Sequence, residues 1–312
     1  MQYAEGRSRK GSPMNRGGQA RYTEEIAVPL RREGQTTGID RYVIRGGVEG
    51  RERLRILSEV MGPSTRALLA EVGISSGAVC LDIGCGGGDV TVALARRAGP
   101  TGRALGVDLD ETKIDIARQE AVRHGLANVA FEVRDAAAWE PDEPFDVVYA
   151  RFLLTHLRDP SIVVSALHRH TRPGGVAIVE DIDFRGHFAE PESDALRRYV
   201  DWYTRSVQRR GADPNIGPRL PGLLRAAGFE DVQMKLVHPA ALVGGIKLLT
   251  CITLESIAEA VLQDGLTTED ELRTTIAELY AFARDPHTVL GGPRVFQAWG
   301  RSAAARPAVA RG

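Results

Sequence analysis

From residue 77 onward, short apolar runs alternate with amphipathic ones. "AVCLDIG", "RALGVDL", "NVAFEV", "FDVVYAR" and "GVAIVEDI" read as strands. Between them, "DVTVALARRAG" and "ETKIDIARQEAVRHG" carry apolar residues at three- and four-residue spacing and stop at Gly99 and Gly125. "DPSIVVSALHRHTRPGG" opens with Asp159 as an N-cap and Pro160 at the first helical position. Strands separated by helices of this length imply right-handed crossovers, hence a parallel sheet with helices on both faces. A later helix, "PRLPGLLRAAG", leads to "DVQMKLVHP", and "PRVFQAWGRS" supplies a last strand. The expected fold class is α/β, a doubly wound, seven-stranded, mostly parallel sheet.

Around that domain, residues 1–20 offer almost no apolar side chain to bury and are expected to form a disordered tail. Residues 21–76 read as an N-terminal helical cover, with two short amphipathic helices within 40–73 split at Gly62-Pro63 and stopped at Gly73. The main domain runs over 77–302 with helical insertions near 189–211 and 241–285, and 303–312 form a flexible tail.

Charge and composition exclude several classes. A net charge of −1 over 312 residues leaves no basic footprint, so no nucleic acid partner is expected. No apolar run approaches the ~18–20 residues of a membrane span, and a signal core is missing, so the chain reads as cytoplasmic with no membrane partner. Cys80, Cys85 and Cys251 have neither disulfide nor zinc spacing and read as small buried hydrophobes.

The first strand-to-helix turn is where an open parallel sheet binds ligands, and here it reads "VCLDIGCGGGDVT". Gly84, Gly86 and Gly88 permit positive φ and close approach of a ligand to the backbone. A dinucleotide would want G-x-G-x-x-G, yet the last position, counted from Gly84, is Asp89, whose charge opposes a diphosphate. Instead, with Asp82 two residues before Gly84, "DIGCGGG" matches E/D-x-G-x-G-x-G. In this the chain resembles the class I S-adenosylmethionine (SAM)-dependent methyltransferases, small-molecule branch (type 11/25 methyltransferase domain), closely over roughly 77–185 and in outline beyond.

The resemblance implies a Rossmann-like fold and a cofactor site built from several stations. A carboxylate at Asp82 can hold water or donors around the methionine ammonium. Asp108 closes the second strand, where a carboxylate suits a vicinal diol, and by resemblance it takes the ribose O2′ and O3′. Leu109 would lie on one face of the adenine, while Asp135 would accept from its amino group and Ala136 would offer a backbone N–H. Tyr42, in "YVIRGGVEGRERLRIL", is the candidate aromatic that closes over the cofactor, with ordinary packing of a helix start as the alternative. Arg151 either faces the methionine carboxylate or is a surface arginine. "ARFLLTHL" stands where amino-group methylases of macromolecules carry N/D-P-P-Y/F, which argues for a small-molecule acceptor.

Methyl transfer from a sulfonium is an in-line displacement that needs the nucleophile held close with water excluded; a base helps only a protonated acceptor. His156, after the fourth strand, is the candidate base or orienter, with structural packing as the alternative. Glu180, Asp181, Asp183 and His187 follow the fifth strand, but no second acidic cluster matches them downstream, so no metal is expected. Trp202 and Tyr203 either line an acceptor pocket or belong to the core, and Arg209 and Arg210 read as solvated.

These readings converge on methyl transfer from SAM, giving S-adenosylhomocysteine (SAH), to a small organic acceptor such as a secondary metabolite or lipid-like quinone precursor, at O, N or C. The alternatives are a SAM-binding enzyme of the same fold with a non-methylating reaction, and an NAD(P)-dependent oxidoreductase. The apolar insertion "LVGGIKLLTCITLESIAEAVLQDG" is surplus to the sheet; it forms a lid hinged near Gly244 and Gly245, or a homodimer contact.

Overall fold

The computed structural model describes residues 48–304. In chain order, the first half comprises α1 (Val48–Val72), β1 (Val79–Ile83), α2 (Asp89–Ala98), β2 (Arg103–Asp108), α3 (Glu111–Arg123), β3 (Val129–Val133), β4 (Phe145–Arg151) and α4 (Pro160–His170). The second half comprises β5 (Thr171–Asp183), β6 (Phe188–Glu190), α5 (Asp194–Arg209), α6 (Leu220–Ala226), β7 (Glu230–Val237) and β8 (Ala240–Ala241). It ends with α7 (Gly245–Gln263), α8 (Glu269–Arg284), β9 (Val289–Gly291) and β10 (Arg294–Arg301).

Seven strands form one sheet in the order β3-β2-β1-β4-β5-β10-β7. Neighbours are parallel except β10, which runs antiparallel to both β5 and β7. The order reverses beside β1, which makes the turn after β1 the switch point at which such sheets bind ligands. Local chemistry sets the helix starts. Asp110 caps α3 by accepting from the amides of Thr112 and Lys113, and Asp159 caps α4 through Ser161, with Pro160 in the first turn.

One expectation changes. α1 is one continuous helix through Gly62-Pro63, with Pro63 inside it. Proline costs the helix a hydrogen bond, but Ile56 and Met61 before Pro63 and Leu68 and Leu69 after it are all almost fully buried, and their packing offsets that loss. The insertions fold against that helix: residues of α1, α5, α7 and α8 share one apolar core, in which Trp202 and Tyr203 are 4% and 2% exposed. Tyr203 stacks on Phe184 at 3.9 Å between centroids, so this aromatic pair is core and not pocket lining. Truncating either aromatic would cost about 3–5 kcal/mol, as for other buried aromatic side chains.

The insertions also carry polar ties. Arg210 pairs with Asp264 at 2.7 Å and Arg209 donates to the Asp264 carbonyl, so neither is simply solvated, because both close the end of α5 onto the end of α7. Lys247 is fully buried, and its ammonium donates to the carbonyls of Leu242, Asp285 and Thr288 and to the Thr288 hydroxyl, at 2.6–3.0 Å. A small antiparallel sheet, β6-β9-β8, ties the insertion bases together: Gly291 is paired with both Phe188 and Ala240.

Candidate active site

Strand register brings the sequence stations to one level. Asp108 pairs with Val133, Ile83 pairs with Val107 on one side and Ala150 on the other, and Arg151 pairs with Glu180. The end of β2, the glycine turn after β1, the end of β4 and the last part of β5 therefore form one row along the carboxyl edge of the sheet.

The turn is anchored by backbone. The amides of Gly84 and Cys85 both donate to the Val107 carbonyl, at 2.8 and 3.0 Å. Gly84, Gly86 and Gly88 all adopt positive φ, at 70°, 52° and 80°. Their surroundings differ. A Cβ on Gly88 would lie 2.8 Å from the Phe131 ring, so this glycine is required for packing of the turn on β3 and α3. Gly86 and Gly87 meet only Leu54 of α1, at 3.5–3.7 Å, so their backbone is the bare part of the turn and α1 crosses over it.

Asp108 binds the same turn. Its Oδ2 accepts from the Gly86 amide at 3.0 Å and its Oδ1 from the Asp110 amide at 3.0 Å. Each carboxylate oxygen keeps further acceptor capacity, and the group is aimed by the chain before any ligand arrives. Leu109 beside it is 70% exposed, an apolar face left open at the strand end. Asp135 is exposed and caps its own turn by accepting from the Ala137 amide at 3.0 Å, while the carbonyl of buried Ala136 is held by His170.

Asp82 is buried and accepts from the Thr91 hydroxyl at 2.6 Å. Burial pushes its carboxyl up to about 7, opposed by the Thr91 hydrogen bond and the Arg151 charge. Arg151 is 8% exposed, which excludes the surface-arginine reading. Its guanidinium grips both oxygens of Asp89 at 2.8 Å and donates to the Thr65 hydroxyl at 3.2 Å. Thr65 passes the connection to buried Glu180 at 2.8 Å, where Tyr149 and Gln297 also donate. Burial raises Glu180 to about 7. This chain of bonds joins α1 to the start of α2 and to β5.

His156 lies in the 3-10 turn Leu154–His156 after β4, partly buried. Desolvation, together with the charges of Arg53 and Lys113, pushes its imidazole down to about 3. Asp181, also raised to about 7 by burial, braces the turn by accepting from the Thr155 amide at 3.0 Å. Tyr42 lies outside the described residues. Among the described residues no group of three or more His, Cys, Asp and Glu side chains is placed to hold a metal ion, and all three cysteines are buried and free.

A methyltransferase-domain family model matches residues 74–209. The demethylmenaquinone methyltransferase of Geobacillus kaustophilus (strain HTA426) is 32% identical over 187 residues, which cover 54% of this chain and 77% of that protein. The chain belongs to the SAM-dependent methyltransferases. A trans-aconitate 2-methyltransferase from Azoarcus sp. (strain BH72) is 35% identical over 152 residues, covering 48% of this chain and 56% of that one. The methyltransferase spans 51–61% of the length of other such relatives, among them ubiquinone/menaquinone C-methyltransferases. In fold it is similar to a Bacillus halodurans C-125 protein put forward as a methyltransferase, with a TM-score of 0.54 at 19% identity over 77% of this chain and 100% of that one.

Family membership decides between the SAM and dinucleotide readings of the glycine turn. What the sequence reading of this methyltransferase missed are the partners of its site residues. Thr91 on Asp82, Asp89 on Arg151 and Thr65 on Glu180 are polar side chains whose roles depend on contacts with distant segments. Only Asp89 gave a signal, as an acidic residue at a helix start where a phosphate site would not place one.

Proposed function

We propose that this methyltransferase transfers a methyl group to a small organic acceptor, in secondary metabolism or on a lipid-like quinone precursor. The observation that carries the cofactor side is the pre-aimed Asp108 carboxylate, bonded to the bare Gly86 turn with Leu109 open beside it. The residues fit SAM: a carboxylate with spare acceptor capacity for a diol, an open apolar face for a flat ring, a backbone free of Cβ atoms, and a buried carboxylate at Asp82 for a cationic head. Asp108 would take the ribose hydroxyls, Leu109 and Ala136 the adenine with Asp135 at its amino group, and Asp82 the surroundings of the methionine ammonium. When bound, SAM supplies an electrophilic methyl group on a sulfonium.

The chain's own part is positioning and exclusion of water. α1 crosses the glycine turn through Leu54, and α7 packs against α1 so closely that a Cβ on Gly245 would lie 2.6 Å from Val60. His156, held near 3, is a neutral and weakly basic imidazole at ordinary pH, so it orients the acceptor and does not take its proton. The relatives named for demethylmenaquinone and trans-aconitate support a small acceptor. The test is incubation of the full chain with methyl-labelled SAM and a panel of quinols, phenols and carboxylic acids. Label in a small-molecule product with release of SAH is the expected result.

A further inference from the structure

α1 carries three arginines in its first turns, and their partners differ. Arg51 donates to Gln119, and Arg55 binds Glu52 and Glu59 at the exposed surface. Arg53 is partly buried, and its partner is neutral: its Nε donates to the Thr253 hydroxyl of α7 at 3.3 Å. Among the described residues no carboxylate pairs with it. The partly buried guanidiniums of Arg151 and Arg210, by contrast, each hold one. Guanidinium offers five donors, and a cation withdrawn from water without an anion is costly, so most of the binding capacity of Arg53 is left for something outside the described chain.

Its position says what that is. The next residue, Leu54, lies over Gly86 and Gly87 of the cofactor turn. Thr253 is 5% exposed and lies by Tyr199, a buried phenol of α5 next to Phe184 and His187. The charge of Arg53 acts on both Tyr199 and His156, the latter in the turn after β4. The guanidinium thus stands where α1 meets α7, with its charge acting on α5 and on the turn that follows β4, one residue along α1 from the leucine that covers the glycine turn.

We propose that Arg53, braced by Thr253, is the acceptor-recognising residue and that the acceptor carries an oxyanion, a carboxylate or phenolate, close to the position that is methylated. This rests on the small-acceptor reading above and narrows it to anionic molecules. A guanidinium binds a carboxylate with two parallel hydrogen bonds and a phenolate with charge-assisted bonds to its single oxygen, neither of which a neutral isostere reproduces.

The test uses the full chain saturated with SAH and measures binding of trans-aconitate, benzoate and 4-hydroxybenzoate, each beside its amide, by calorimetry. The parent should bind at least one acid on the order of tenfold or more tightly than its amide, and Arg53→Met should abolish that preference while Arg53→Lys keeps part of it. SAH affinity should be the same in all three proteins. Acids and amides bound equally by the parent, or a preference that survives in Arg53→Met, would overturn the proposal. So would weaker SAH binding in Arg53→Met, which would make the methionine carboxylate the partner of Arg53. A parent that does not bind SAH at all would overturn the cofactor reading itself, and the two failures are thereby separated.

Discussion

The Gly86 amide donates to Asp108 Oδ2 at 3.0 Å, across 22 residues of chain, and so fixes the bare turn after β1 against the end of β2. One bond thereby orients both the bare backbone of the turn and the carboxylate proposed to receive the ribose hydroxyls of the cofactor. Asp108→Ala should weaken SAM binding by on the order of 2–4 kcal/mol while the fold persists, because charge-assisted bonds to the ligand and the tether of the turn are lost together. Calorimetry with SAM and NADH measures it, and NADH should bind neither protein.

Asp82 should make cofactor binding depend on pH. Its carboxyl stands at about 7 in the folded chain against an ordinary 3.8, so between these values the folded chain holds a proton that the unfolded chain has lost. The contribution of Asp82 to stability therefore falls as pH rises from 3.8 to about 7. A bound ammonium favours the ionised form, so SAM binding should release a proton and should weaken as pH falls below about 7, by up to about tenfold per unit. Calorimetry in buffers of different ionisation enthalpy detects the proton. Asp82→Asn should remove that release, while Glu180 and Asp181, raised by burial in the same way, remain as they were.

The neighbouring glycines should separate stability from binding. Gly88→Ala forces a methyl to 2.8 Å from the Phe131 ring at φ 80°, and should destabilise the fold by about 1–3 kcal/mol in chemical denaturation. Gly87→Ala meets Leu54 at an ordinary 3.5 Å and should leave stability nearly unchanged while SAM affinity falls.

What was legible in the sequence was local. The strand–helix alternation, the caps at Asp159 and Gly99 and the glycine turn with Asp108 depend on neighbours in the chain, and each appears where its pattern places it. Two features turned on packing instead: Pro63 reads as a break until the buried faces on both sides are seen to carry α1 through it, and Trp202 and Tyr203 read as core, with pocket lining as the alternative, until α7 and α8 are seen to enclose them. Arg151 with Asp89, and Arg53 with Thr253, join segments 62 and 200 residues apart. No periodicity or motif announces such pairs, since the side chains alone are compatible with solvent.

His156 should prove an orienting residue. With its imidazole pushed down to about 3, its protonation lies outside the working range, so kcat should show no limb from this group between about pH 5 and 8. His156→Ala should lower kcat by less than about tenfold with SAM affinity intact, in keeping with catalysis by proximity. A loss of several hundredfold together with a lost pH limb would make it the general base instead.

The most direct test of the whole account follows the methyl group itself, using methyl-labelled SAM with the acceptor panel in the parent and in Asp108→Ala. The account predicts label in a small-molecule product with one SAH released per methyl transferred, and loss of that transfer in the variant at SAM concentrations that saturate the parent. SAM bound by the parent with no label passed to any quinol, phenol or carboxylate, or transfer unaffected by Asp108→Ala, would contradict it.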